Sequence, residues 1–186
     1  MAPLVADLAQ QMLPLLNAPY SMFGHSTGAF VAFELAQHLS GLGFPPEHLF
    51  VSAQRGPKLP YPGIPIFALP DPEFLAAILD RYQNIPRQVL EQADLMAIVL
   101  RTLRADFTLT EAYRCRAASR LACPITAFGG IDDQHVVREQ LEAWGWETTN
   151  RFRLHLLPGG HFFHQEPRSR EALLSLIRDD SEGAGG

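Results

Sequence analysis

Apolar residues at Leu4, Val5, Leu8, Met12, Leu15 and Leu16 recur at helical spacing, predicting an amphipathic helix that ends near Asn17 and Pro19. Tyr20 to Phe23 is a short apolar run of the kind a buried strand carries. Gly24 to Gly28 then makes a tight turn. Ala29 to Leu39 is helix material that is apolar nearly all round, and Gly41 and Gly43 stop it. His48 to Ala53 predicts a second strand. Strand, turn, helix and strand in that order form the repeating unit of a parallel α/β sheet.

The pattern changes after Gln54, where the chain becomes rich in proline and glycine as far as Pro70. Phe74, Leu75, Ile78, Leu79 and Tyr82 then form one helical stripe and Leu95, Ile98, Val99 and Leu103 another, with Pro86 between them. A helical insertion with no strand of its own can cap a sheet. Sheet pattern resumes at Pro124 to Phe128, followed by helix from Val136 to Trp146, an alternating strand from Phe152 to Leu157 and a last helix from Ser169 to Ile177. Ser181 to Gly186 reads as a flexible tail.

A length of 186 residues points to one domain spanning 1–186, and 47% apolar residues supply its core. Lys and Arg number 15 against 20 Asp and Glu, giving a net charge of −5 with Lys58 the one lysine. That balance leaves no footprint for a phosphate backbone, so nucleic acid is excluded as a partner. Cys115 and Cys123 are too few for a disulfide scaffold and match no zinc spacing, which fits a cytoplasmic protein. The N-terminus lacks the pattern of a secretory leader, and no apolar run approaches the roughly 18 residues a membrane span requires. The first basic residue is Arg55, preceded only by the ionised Asp7, Glu34 and Glu47. So uncharged a stretch belongs at the centre of a fold rather than its rim.

The sharpest chemical signal is Gly24-His25-Ser26-Thr27-Gly28, a Gly-x-Ser-x-Gly element. Chance would place one in about one of twenty chains of this composition, and here it sits between a strand and a helix, the setting of a nucleophile elbow. The Thr27 backbone N–H and the helix N-terminus would face an oxyanion formed at Ser26, while the two glycines let strand and helix pass. The bland alternative is a glycine-rich helix start capped by Ser26. A serine nucleophile needs a base, and the base an orienting acid, in the chain order Ser, Asp or Glu, His. After the third strand comes Gly129-Gly130-Ile131-Asp132-Asp133, and after the fourth Pro158-Gly159-Gly160-His161. The candidates are therefore Ser26 as nucleophile, His161 as base and Asp133 as acid, with Asp132 as the runner-up. All lie at the C-terminal ends of strands, where open α/β sheets bind ligands. A metal held by Asp133, His161 and His164 is set aside because nothing fixes its ligand count, and no cofactor is expected. His25, His38, His48, His135 and His155 read as structural, and His164 as packing or surface.

Phe23 to Ala29, the Leu-Arg-Ala-Asp-Phe run from Leu103 to Phe107 with Tyr113 after it, Gly129 to Asp133 and Pro158 to Phe163 together resemble type II thioesterases. The resemblance runs from about Leu4 to Ile177, and the Asp-Pro-Glu-Phe-Leu start of the insertion at Asp71 to Leu75 adds to it. These stand-alone α/β-hydrolases serve polyketide and nonribosomal peptide synthetases and are related to the medium-chain thioesterase of fatty acid synthesis. The resemblance implies an α/β-hydrolase fold with a mostly parallel sheet, helices on both faces and a helical lid at about residues 72–113. It implies hydrolysis of acyl thioesters on the phosphopantetheine arm of an acyl or peptidyl carrier protein, by Ser26, His161 and Asp133, in a monomer. Arg101, Arg104, Arg114, Arg116 and Arg120 would meet an acidic carrier protein, or else form a solvated face. Relatives carry strands before the helix that opens this chain, and a Gly-Gly loop among them supplies a second oxyanion donor. No Gly-Gly pair precedes Ser26 here, so the domain is expected to be N-terminally incomplete, without those strands. The competing expectations are an esterase of oxygen esters with the same triad, and a relative that only binds acyl chains or carrier proteins.

Overall fold

The computed structural model describes residues 1–82, 88, 91–116 and 119–182. In chain order its elements are α1 (Ala2–Met12), β1 (Ser21–His25), α2 (Thr27–Gly41), β2 (His48–Ser52), α3 (Asp71–Tyr82), α4 (Ala93–Glu111), β3 (Ile125–Gly130), α5 (Arg138–Glu142), β4 (Phe152–Leu157) and α6 (Pro167–Glu182). Short 3-10 turns follow α1 and α5 and precede α6. Pro86, expected to separate the two helical stripes, and Gly183 to Gly186 of the expected tail lie outside the described residues; Ser181 and Glu182 complete α6. Among the described residues no helix is long and apolar enough to cross a membrane. The chain forms two compact units, one from Met1–Leu59 with Arg114–Gly186 and the other from Pro60–Tyr113.

The first unit holds a four-stranded, all-parallel sheet in the order β1-β2-β3-β4. β2 and β3 are buried along their whole length, as central strands covered on both faces must be, whereas β1 alternates between exposed and buried. Register sets Gly24, Val51 and Ala127 side by side on one face. On that face the first turn of α2 crosses Gly24, and Leu141 of α5 sits against Gly129. Phe50 and Phe128 alternate to the opposite face, where they pack with Leu157, Phe163 and Leu173 of α6. The arrangement is the parallel α/β sheet that the strand-turn-helix-strand pattern predicts, and it agrees with the α/β-hydrolase fold that the resemblance implies. The expected helix from Val136 to Trp146 is shorter, α5 giving way to a 3-10 turn at Ala143–Glu147. Within that turn the Trp144 indole N–H donates to the Gln54 carbonyl at 2.8 Å, and its ring meets Phe33 edge-on, fixing a geometry that helix periodicity does not anticipate.

A buried polar chain ties the last helix to the sheet. Thr126 Oγ1 donates to Asp180 at 2.7 Å and lies 2.9 Å from His48 Nε2, so the imidazole N–H must donate to the threonine. Burial pushes the His48 imidazole down to about 4, and Arg153 pairs with the other oxygen of Asp180.

The second unit is helical and includes the proline-rich stretch as well as the helices. Ile66, Phe74 and Ile78 form its centre, with Leu100, Leu103 and Phe107 of α4 packed against them. Glu111 is buried at the end of α4 and accepts the Ile66 and Phe67 backbone N–H groups at 2.7 and 3.0 Å, the Tyr61 hydroxyl at 2.9 Å and the Arg81 guanidinium at 3.2 Å. Glu111→Ala leaves those donors without their acceptor. It is expected to destabilise this unit by about 3 kcal/mol, read as a lowered melting midpoint, whereas Glu73→Ala on exposed helix surface should shift it little. Arg104 donates to the Phe67 and Leu69 carbonyls, pairs with Asp71 at 2.6 Å and stacks 4.1 Å above the Phe74 ring. It holds the start of α3 in place and is thereby committed to this fold, unlike Arg101 and Arg116, which are exposed.

Candidate active site

β1 delivers Ser26 to the turn before α2 with φ 52 and ψ −125, a backbone conformation that strains any residue with a Cβ. The turn closes because Gly24 has no side chain: a Cβ there would stand 2.2 Å from the Gly28 carbonyl oxygen. A Cβ at Gly28 would meet nothing within 4 Å. The close passage of strand and helix expected of both glycines therefore rests on Gly24 alone. The Ser26 N–H donates to the Ser52 carbonyl at the end of β2, at 2.8 Å, and its own carbonyl accepts the Ala29 N–H. Although Ser26 occupies the N-cap position of α2, its hydroxyl makes no capping bond. The hydroxyl lies instead 3.1 Å from His161 Nε2, which sets aside the reading of this serine as a plain helix cap.

Asp133 and His161 arrive from the loops after β3 and β4. His161 Nδ1 lies 2.9 Å from Asp133 Oδ2, and both residues are buried. The other Asp133 oxygen accepts the His135 and Val136 backbone N–H groups at 2.8 and 3.3 Å. A carboxylate only accepts, so Nδ1 carries the proton and Nε2 presents a lone pair to the Ser26 hydroxyl. Burial on its own raises the Asp133 pKa, but the hydrogen bond and charge of His161, with the two backbone N–H groups, outweigh it and hold the carboxyl below its usual range. Asp132, the runner-up, is exposed; its N–H donates to the Gly159 carbonyl, pinning one loop to the other.

The two loops touch most closely at Gly130, where a Cβ would stand 2.2 Å from the Gly160 carbonyl oxygen. Neither backbone can give without displacing the segment that carries His161. Gly130→Ala is therefore expected to cost about 1–3 kcal/mol and to weaken the His161 to Ser26 contact, seen as a lowered melting midpoint together with slowed serine-directed labelling. Thr27, the expected oxyanion donor, is the first residue of α2, next to Ser26 at the positive end of the helix.

Two neighbours of the site were not singled out by the sequence. The His25 ring lies 5.4 Å from that of His161 and 4.3 Å from that of His164, and its Nδ1 is 3.0 Å from the Ser52 hydroxyl. Burial, and then the charges of His161 and His164, push the His25 imidazole down to about 3. His25 stands within the Gly-x-Ser-x-Gly element and was legible by adjacency. Ser52 becomes visible only once β1 and β2 are paired, His25 opposite Ser52.

Comparison with known proteins follows the same outline. Residues 1–180 match the thioesterase domain family. A protein of Brevibacillus parabrevis described as linear gramicidin dehydrogenase LgrE is 40% identical over 179 residues, which are 94% of this chain and 66% of that protein. The solved thioesterase RedJ, from the prodiginine biosynthetic pathway in Streptomyces coelicolor, superposes with a TM-score of 0.85 at 36% identity, covering 95% of this chain and 70% of RedJ. YbtT, a type II thioesterase from the yersiniabactin NRPS/PKS pathway, gives a TM-score of 0.86 at 26% identity over 99% of this chain and 74% of its own. The chain thus spans about two thirds of the length of the curated relatives it matches, 66% and 64% for the first two. A likeness that runs through nearly all of these residues and holds in three dimensions is the inheritance of a domain, and the chain belongs to the thioesterase family, with type II thioesterases among its relatives.

Proposed function

We propose that this protein hydrolyses acyl thioesters, with acyl groups on the phosphopantetheine arm of acyl or peptidyl carrier proteins as its substrates, and so clears stalled carriers. The observation that carries the proposal is the Ser26 hydroxyl lying against His161 Nε2 while Asp133 occupies Nδ1. Ser26 Oγ attacks the thioester carbonyl carbon as His161 takes its proton, and the oxyanion forms beside the Thr27 N–H. Collapse breaks the C–S bond. The pantetheine thiolate leaves with the proton from His161, and the acyl group stays on Ser26 as an ester. A water molecule, deprotonated by His161, then attacks that ester. The acid is released, and the proton returns from His161 to Ser26.

The LgrE name denotes a dehydrogenase, but the strand-turn-helix here carries Gly-His-Ser-Thr-Gly, the spacing of a nucleophile and not of a dinucleotide. The resemblance makes the helical unit a lid, and its α4 keeps the apolar Leu95 and Ile98 exposed. Cys115 and Cys123 carry free thiols, which fits the cytoplasm in which we place the protein. Incubation with an acylated carrier protein, followed by intact-mass measurement of the carrier, tests the proposal. The acyl mass should disappear and the bare phosphopantetheine arm remain, faster than a nitrophenyl ester of the same acyl group is cleaved. Preference for the nitrophenyl ester, with the carrier untouched, would make the protein an esterase.

A further inference from the structure

We propose that Ser52 and His25 are a positioning pair that fixes the Ser26 and His161 side chains in reacting geometry; the inference rests on the function proposed above. Ser52, the last residue of β2, is wholly buried, and it grips the nucleophile segment twice. Its carbonyl accepts the Ser26 N–H at 2.8 Å, and its hydroxyl shares a hydrogen bond with His25 Nδ1 at 3.0 Å. A buried hydroxyl is costly to retain without a partner, and here the partner is the residue next to the nucleophile.

Backbone strain is concentrated at the same place. Among the described residues the two non-glycine positions with positive φ are Ser26, at 52, and Ala53, at 49, the residues flanking this pair in the chain. The Ala53 N–H donates to the Phe128 carbonyl at 2.9 Å, anchoring the far side of the bend to β3. Strained residues persist only where the surroundings over-determine them, and β2 supplies that constraint through Ser52.

His25 carries the constraint on to the base. Its ring stands 5.4 Å from His161, 5.9 Å from Phe162 and 4.3 Å from His164, so it walls one side of the imidazole. Its Nε2 is buried with no hydrogen-bond partner among the described residues, so the hydrogen bond to the Ser52 hydroxyl joins these ring contacts in orienting it. Burial and the facing His161 and His164, against the opposing pull of Asp133, keep His25 uncharged, so the wall does not repel the imidazolium that forms on His161. Neither Ser52 nor His25 is assigned any contact with substrate; both act through Ser26 and His161.

The test measures steady-state hydrolysis of an acyl-CoA thioester and the rate of fluorophosphonate attachment to Ser26, for wild type, Ser52→Ala, His25→Ala, the double variant and His25→Asn, with circular dichroism to confirm folding. Each single alanine variant should lower kcat and the labelling rate by the same factor, about 10–100-fold, with KM within twofold. The double variant should fall no further than the worse single, because the two side chains act as one unit. His25→Asn, whose amide offers Ser52 either a donor or an acceptor, should recover most of the loss. Rates within twofold of wild type in the single variants, additive losses, or a raised KM at constant kcat would each overturn the pairing. If Ser52→Ala does not fold, His25→Asn against His25→Ala decides by the same criteria. A folded wild type that takes no label at all overturns the proposed function, and the pairing with it.

Discussion

Ser26→Ala is expected to remove essentially all thioester turnover, a loss on the order of 10⁶ in kcat, with the melting midpoint almost unchanged. In the proposed mechanism attack, proton transfer and the acyl intermediate all run through one oxygen, so the loss is large. The fold is spared because that oxygen does little for it: the Ser26 hydroxyl caps no backbone N–H of α2, and the bonds that close the turn use the Ser26 backbone, to Ser52 and from Ala29. Ser26→Gly separates the two effects further. With φ at 52, glycine accepts the turn without the strain that a Cβ brings, so this variant should be as inactive as the alanine one yet more stable than wild type by about 1 kcal/mol. Thermal melting and steady-state assay of the two variants side by side measure both quantities. A Ser26→Gly protein that melts below wild type would mean that the strained backbone is not the state the chain adopts.

The second large effect is Asp133→Asn, expected to lower kcat by about 10⁴ while the protein stays folded. The substituted asparagine would still fill the site between the His135 and Val136 N–H groups and His161. Its amide, however, can donate to Nδ1 and favour the tautomer with the proton on Nε2, facing Ser26 where a lone pair is needed. The native carboxylate also makes stability depend on pH. Its folded pKa lies below the usual value of 3.8, so the folded state binds fewer protons there than the unfolded chain does. The stabilisation is therefore fully present above the usual carboxylate range and lost as pH falls through it toward the lowered value. Wild type should lose more stability than Asp133→Asn between about pH 5 and pH 3, measured by denaturant melts at each pH.

Much of this arrangement is legible in the order of residues alone. The β1-α2-β2 unit follows from apolar runs punctuated by glycine, and β4 lies where the alternation from Phe152 to Leu157 places it. The residues that meet at the site, Ser26, Asp133 and His161, are separated by 107 and 28 positions in the chain, yet each ends a strand pattern and each adjoins glycine or a turn. Position relative to a strand end is a local signal, and local signals survive in sequence. What was hidden depends on pairing across the sheet or on contacts inside the helical unit. Ser52 is one serine among several until register sets it opposite His25. Arg104 looks like a surface charge in a basic stretch until the Phe67 and Leu69 carbonyls and the Phe74 ring close around it. The roles of Gly24 and Gly28 could not be told apart by motif, because the difference lies in which backbone passes which.

The most direct test of the central claim is the intact mass of the protein after exposure to a fluorophosphonate. One phosphonyl adduct per chain, mapped to Ser26 on wild type and absent from Ser26→Ala and His161→Ala, is the result that a nucleophile activated by His161 requires. An unmodified wild-type protein that is folded by circular dichroism, or an adduct that persists in Ser26→Ala, would contradict it.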